Sequence, residues 1–290
     1  MLHYLENDNY KVGVKTAGAE LSSFRNKQTN LEYIWQADPQ IWPRHAPVLF
    51  PVVGKLPGGK FSYGGKTYEL SQHGFARDLD FTLVSQSGKE LIFELKDSEQ
   101  TKAVYPFPFR LQIIYRLEGN ALETTYAVQN PAEADLYFSI GAHPAFNCPL
   151  LPGEFFADYY LEFDQPENQA HYLLELGLLN GKTEPLLKNE IKLPLSYDLF
   201  LHDALVFKNL ASEKIELKNL KHHHGLSFEF KGFPYFGIWT KQPGAGFICL
   251  EPWHGIASSV GDNGELTQKE GIKKLAAGEA FSCAYTIRVH

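Results

Sequence analysis

The sequence predicts an all-β protein built on large antiparallel sheets, and three observations carry that prediction. Its apolar segments are short, and several alternate apolar with polar residues, the period of a half-buried strand. Turn dipeptides separate them. The composition sets 21 Phe, 15 Tyr and 4 Trp against a single Met, beside 24 Gly and 17 Pro, which suits strands and tight turns better than a helical bundle.

In chain order, strands are expected at Tyr10 to Lys15, Leu79 to Val84, Glu90 to Leu95, Phe109 to Leu117, Leu122 to Val128, Leu136 to Ile140 and Leu226 to Phe230. Turns are expected at the pairs headed by Gly58, Gly64, Ser87, Gly119, Asn130 and Asn180. The best helical candidate is Glu167 to Leu176, on a poor pattern. No internal repeat, low-complexity linker or composition shift marks a boundary, so one domain over residues 1–290 is expected.

Charge narrows the partners. The 27 Lys plus Arg face 34 Asp plus Glu, a formal net of -7 with no basic block, which argues against nucleic acid or an anionic membrane surface. The opening residues carry Glu6 and Asp8 and lack an apolar stretch, no run of eighteen apolar residues occurs, and a cytoplasmic location is the expectation. Cys148, Cys249 and Cys283 form no ligand-spaced cluster, so neither a disulfide framework nor a structural zinc site is expected.

The chemistry concentrates in three segments. In SQHGFARDLDF, Gly74 permits a sharp bend after His73, and Arg77 follows four residues later. A functional pair is one reading; a loop in which Asp78 or Asp80 satisfies the guanidinium is the other. In IGAHPAFNC, small residues and Pro144 give His143 a rigid apolar setting. In FICLEPWHG, Glu251 ends a buried run, where desolvation raises a carboxyl pKa. With a histidine it makes an acid and base pair, enough for proton transfer without a cofactor. Trp42, Phe75, Phe146, Trp239 and Trp253 are candidate faces for a sugar ring. The His222, His223, His224 run reads as a surface turn, and His45, His73 and His143 lack the spacing of a metal site.

These segments, with four others in the same order, closely resemble the aldose 1-epimerase family, also called galactose mutarotase-like proteins, in its LacX-like branch. They are GAELSSFRN from Gly18, EYIWQADPQIWPRHAPVLFPVVGKL from Glu32, HGFARDLDF from His73, GAHPAFN from Gly141, HDALVF from His202, GIWTK from Gly237 and FICLEPWHG from Phe247. The resemblance implies a β-supersandwich with a sugar-binding cleft, and mutarotation, the interconversion of α and β anomers, with no metal or organic cofactor. It implies Glu251 as catalytic base, His143 as catalytic acid, and His73 and Asp203 as sugar-binding residues. Arg44 and Arg77 resemble substrate-binding arginines of the related hexose-6-phosphate mutarotase branch, although His45 and Ala46 follow Arg44 and EPWHG replaces that branch's EPG form. An aldose, a hexose 6-phosphate, and a non-catalytic sugar sensor or carbohydrate-binding protein remain open at this point, as does the oligomeric state.

Overall fold

The computed structural model describes residues 1–241 and 244–290. Strands make up 49% of it and helix 8%, so the all-β expectation holds. Two large antiparallel sheets dominate. The nine-stranded sheet runs, edge to edge, through Glu190–Pro194, Tyr159–Glu167, Lys214–Asn219, Leu226–Glu229, Ala280–Val289, Ala121–Gln129, Arg110–Glu118, Glu90–Lys96 and Thr82–Gln86. The eight-stranded sheet runs through Leu178–Pro185, Ala170–Glu175, Leu205–Lys208, Tyr235–Trp239, Phe247–His254, Ile140–Ala142 and Val48–Leu49, with Ala145–Asn147 pairing beside Phe247–His254. Smaller sheets, one formed by Leu2–Glu6, Tyr10–Lys15 and Leu21–Asn26, flank them.

One core lies between the two large sheets. Phe228 of the nine-stranded sheet meets Phe146 and Phe236 of the other edge to face, with centroids 6.0 and 6.2 Å apart, and stacks on Tyr285 at 5.2 Å. In Phe247–His254, Ile248 and Leu250 enter this core, while Phe247, Cys249 and Trp253 join smaller clusters on the opposite face. Side chains of a strand alternate faces, so Glu251 belongs with the second set. Strand periodicity therefore aims the one acidic residue of this segment away from the core, into a cleft.

The expected strands appear at or within a few residues of their predicted places, with Leu136 to Ile140 split between Leu136–Phe138 and Ile140–Ala142. Two expectations fail. The helical candidate Glu167 to Leu176 is the end of one strand and all of another, Ala170–Glu175, which forms a hairpin with Leu178–Pro185 through Leu176 and Gly177 at positive φ of 51° and 83°. The turn expected at Asn180 is instead an irregularity inside that second strand, where the register shifts between Tyr172 and Leu174. The one α-helix among the described residues, Glu99–Val104, is a single short segment capped by Ser98, whose hydroxyl accepts from the Thr101 backbone N–H. No helix among the described residues is long and apolar enough to cross a membrane.

Phe228 bridges the sheets at 0% exposure, so Phe228→Ala is expected to cost about 3–5 kcal/mol in urea unfolding. Val84→Ala, at a half-exposed strand position, should change stability by less than about 0.5 kcal/mol.

Candidate active site

The cleft begins with the register of one strand pair. Ile140 and Gly141 stand opposite His254 and Trp253, and Ala145 to Asn147 stand opposite Cys249 to Phe247. The register is the same on either side of the intervening residues, so His143 faces Glu251 directly across the pair. Its Nε2 lies 3.3 Å from Glu251 Oε2. Pro144 and Pro252 carry no N–H, which thins the ladder here, although Pro144 still accepts the Leu250 N–H at 3.2 Å. Both side chains are deeply buried, His143 at 9% and Glu251 at 2% exposure.

Burial dictates how the pair holds its proton. It pushes the Glu251 carboxyl well above the usual carboxylate range, and the Asp203 carboxylate pushes it further. It lowers His143 to about 3, with the Arg77 and Arg44 guanidiniums adding to the effect. Both directions favour a neutral carboxyl beside a neutral imidazole. The pair thus shares one proton, which rests on Glu251 while the cleft is empty. The arginines act on His143, and no guanidinium holds Glu251 ionised.

Trp253 and Trp239 shape the floor. The Trp253 indole lies over glycines of both neighbouring strands: a Cβ at Gly237 would meet its ring at 2.4 Å, and one at Gly141 would meet it at 2.6 Å. Gly237 is also the residue directly opposite Glu251 on the other neighbouring strand. Trp239 sets its edge against His143 at 5.7 Å, and Trp42 stacks on the same imidazole at 5.0 Å. Trp42 is thus one of the candidate aromatics that does face the cleft. Phe75 and Phe146 instead pack in the core.

Loops supply the remaining groups. His73 sits at φ 67°, a conformation disfavoured for any residue with a Cβ, and the following Gly74 passes so close to Phe50 that a Cβ there would lie 2.2 Å from a carbonyl oxygen. The Gly54 N–H donates to His73 Nδ1 at 3.1 Å. With that nitrogen accepting, neutral His73 carries its proton on Nε2 and is a donor. Burial and the His143 ring hold its pKa well below the ordinary value, so it stays neutral. Asp203 is likewise held at positive φ, 79°, with Oδ1 accepting the Ala204 N–H, and burial raises its pKa.

Arg77 donates to the Gln72 carbonyl at 2.7 Å, while its buried Nε has no hydrogen-bond partner; Arg44 takes Asp78 at 2.8 Å. The loop reading of Arg77 holds in part, since its Nε stands 3.8 Å from Asp78 Oδ2, a carboxylate it shares with Arg44; both arginines still line the cleft. Together with His73, His143, Asp203, Trp239, Glu251 and Trp253 they bound a space of about 460 Å³. All eight of these were named from sequence, as was Trp42, which also lines the cleft. Gln72 joins them and was not foreseen; its amide lies 3.3 Å from His73 Nε2. Two residues considered earlier lie elsewhere. His45 joins Glu20 and Lys15, and His222 pairs with Glu154.

Among the described residues, one donor cluster could hold a metal ion: His143, Cys249 and Glu251 offer ligand atoms all within 4.8 Å of one another. All three cysteines are free.

The chain resembles known proteins along its whole length. The family model described as Aldose 1-epimerase matches residues 1–272. Protein LacX of Lactococcus lactis subsp. lactis, chromosomal form, is 35% identical over 98% of both chains. Among solved structures, a galactose mutarotase related enzyme from Lactobacillus acidophilus superposes with a TM-score of 0.96 at 35% identity, covering 100% of this chain and 97% of the other. A galactose mutarotase-like protein from Lactobacillus casei ATCC 334 gives 0.92 at 32% identity over 100% of both.

Gly237→Ala drives a methyl group into the Trp253 ring, so the variant should fold, shift its tryptophan fluorescence and lose most sugar affinity in a titration. An unchanged spectrum and affinity would contradict the packing role given to Gly237.

Proposed function

The chain belongs to the aldose 1-epimerase family, and from that premise we propose that it is a mutarotase, interconverting α and β anomers of an unphosphorylated aldose by acid–base ring opening. Glu251 is the base and His143 the acid. The observation that carries this reading is the buried pair facing across one strand ladder at 3.3 Å.

In the opening step, Glu251 takes the proton of the anomeric hydroxyl while His143, carrying the pair's shared proton, gives it to the ring oxygen. The bond between C1 and the ring oxygen breaks and C1 becomes an aldehyde. Rotation about C1–C2 and the reverse transfers close the ring on the other face. Burial favours this chemistry because it makes the carboxylate a stronger base and the imidazolium a stronger acid. The state left after opening, a neutral carboxyl beside a neutral imidazole, is the one that burial stabilises. His73 Nε2–H is placed to donate to a sugar oxygen, Asp203 to accept from a hydroxyl, and Trp42 and Trp239 to cover a ring face. Neither a metal nor an organic cofactor enters these steps.

Two features weigh toward an uncharged sugar. Arg44 is already paired with Asp78, and the carboxyl groups of Asp203 and Glu251 share the cleft with the arginines. Saturation-transfer NMR on glucose, galactose and their 6-phosphates separates the readings: a mutarotase of this kind accelerates anomer exchange of a free aldose over its phosphate. A protein that binds sugar while accelerating none of them is a sensor.

Glu251→Gln and His143→Asn should each lower kcat by about 10² to 10⁴-fold with the fold retained. A near-normal rate in either variant would contradict the assignment. The pH profile offers a second check. A second proton enters the pair only at His143, which burial lowers from 6.5 to about 3. Loss of the single proton is moved upward by the burial of Glu251. As pH falls from neutrality through 6.5, kcat/KM should therefore stay level and decline only toward about 3; an acid limb centred near an ordinary imidazole value would contradict the buried neutral pair.

A further inference from the structure

We propose that His143, Cys249 and Glu251 form a binding site for a thiophilic divalent cation of the Zn²⁺ and Cd²⁺ class, and that an ion held there blocks the cleft. Strand geometry creates the site. Cys249 precedes Glu251 by two residues on one strand and shares its face, and His143 stands opposite Glu251 on the next. The three donor atoms lie within 4.8 Å of one another, in buried positions. Ligands about a tetrahedral ion at roughly 2.0–2.3 Å stand roughly 3.3–3.8 Å apart. The imidazole and carboxylate already meet that spacing at 3.3 Å. Cys249 needs only a small approach.

The imidazole faces Glu251 through Nε2, so that nitrogen is the one that meets the ion. Charge fits as well. A dication with one thiolate, one carboxylate and a neutral imidazole sums to zero, and a site this deeply buried tolerates a neutral assembly far better than isolated charges. A sulfur and a nitrogen in the donor set select Zn²⁺ or Cd²⁺ over Mg²⁺ or Ca²⁺. Three protein ligands leave a fourth position open toward the cleft.

On binding, the Cys249 S–H bond breaks and a sulfur–metal bond forms. Glu251 exchanges its proton for the metal in the same way, and both protons pass to solvent with no change of oxidation state. The ion then occupies the lone pairs that mutarotation needs, which makes it an inhibitor. That last consequence rests on the proposed mutarotase function; the site itself does not.

The test uses Cd²⁺, whose thiolate complexes absorb in the ultraviolet, added to the reduced full-length protein. One equivalent should produce the thiolate-to-metal band, which Cys249→Ala abolishes and Cys283→Ala leaves intact. In the anomer-exchange assay, Zn²⁺ should inhibit competitively with sugar, and a chelator should restore the rate. Cys249→Ala should keep the basal rate within about twofold and weaken inhibition at least about tenfold. A band that survives in Cys249→Ala, or no band in the unsubstituted protein up to millimolar Cd²⁺, would overturn the site. Inhibition equal in Cys249→Ala would move the ion elsewhere, for example to the His222 to His224 run, and would equally overturn it. The absorption readout needs no turnover, so failure of the site and failure of the mutarotase reading are distinguishable.

Discussion

The contact between His143 and Glu251 is the constraint around which the cleft is arranged. Two ionisable groups are held 3.3 Å apart where water scarcely reaches. Separate charges there would be costly, and one shared proton resolves the conflict by leaving both groups neutral. A pair in this condition is poised: moving the proton onto the imidazole creates a strong acid and a strong base at once. The proton transfers proposed for ring opening return the pair to its preferred state. Catalytic driving force and burial are then one and the same property.

The rest of the structure serves that placement. The Phe247–His254 strand lies inside its sheet, paired on both sides, and Ile248 and Leu250 anchor it to the shared core. That anchoring fixes the opposite face, on which Cys249, Glu251 and Trp253 fall by strand periodicity. Gly141 and Gly237 leave room for an indole beside the carboxyl group. The loop residues carry more strain. His73 and Asp203 both take left-handed backbone conformations, and the chain around His73 is pinned by the Gly54 N–H and by the close passage of Gly74 over Phe50. At His73 that strain, held by the packing around it, aims the imidazole into the cleft, whereas Asp203 is exposed and its carboxylate is oriented by the Ala204 N–H.

Much of this was legible in the sequence. Alternation located strands such as Tyr10–Lys15, the resemblance brought forward six cleft residues, and the aromatic residues of the same segments added Trp239 and Trp253. What stayed hidden depends on register and on distant chain. Nothing local to His143 says that it faces Glu251, because that pairing joins residues more than a hundred positions apart. The segment Glu167 to Leu176 misled because its strand is defined by a partner across a hairpin and not by its own periodicity. The Asn180 pair looked like a turn, but Leu176 and Gly177 close the hairpin and Asn180 falls within the strand that follows. The six-residue helix Glu99–Val104 is too short to show a period, and its only local signal is the Ser98 and Thr101 cap. Gln72 carries no mark beyond standing next to His73.

The location of the shared proton is the point on which the rest turns. Infrared difference spectroscopy between the unsubstituted protein and Glu251→Gln, at neutral pH and without sugar, reads it directly. A protonated carboxyl C=O stretch that disappears in Glu251→Gln is the expected result, since burial keeps Glu251 neutral. Loss of carboxylate bands alone, with no protonated carboxyl signal, would show an ionised Glu251 and contradict the neutral pair.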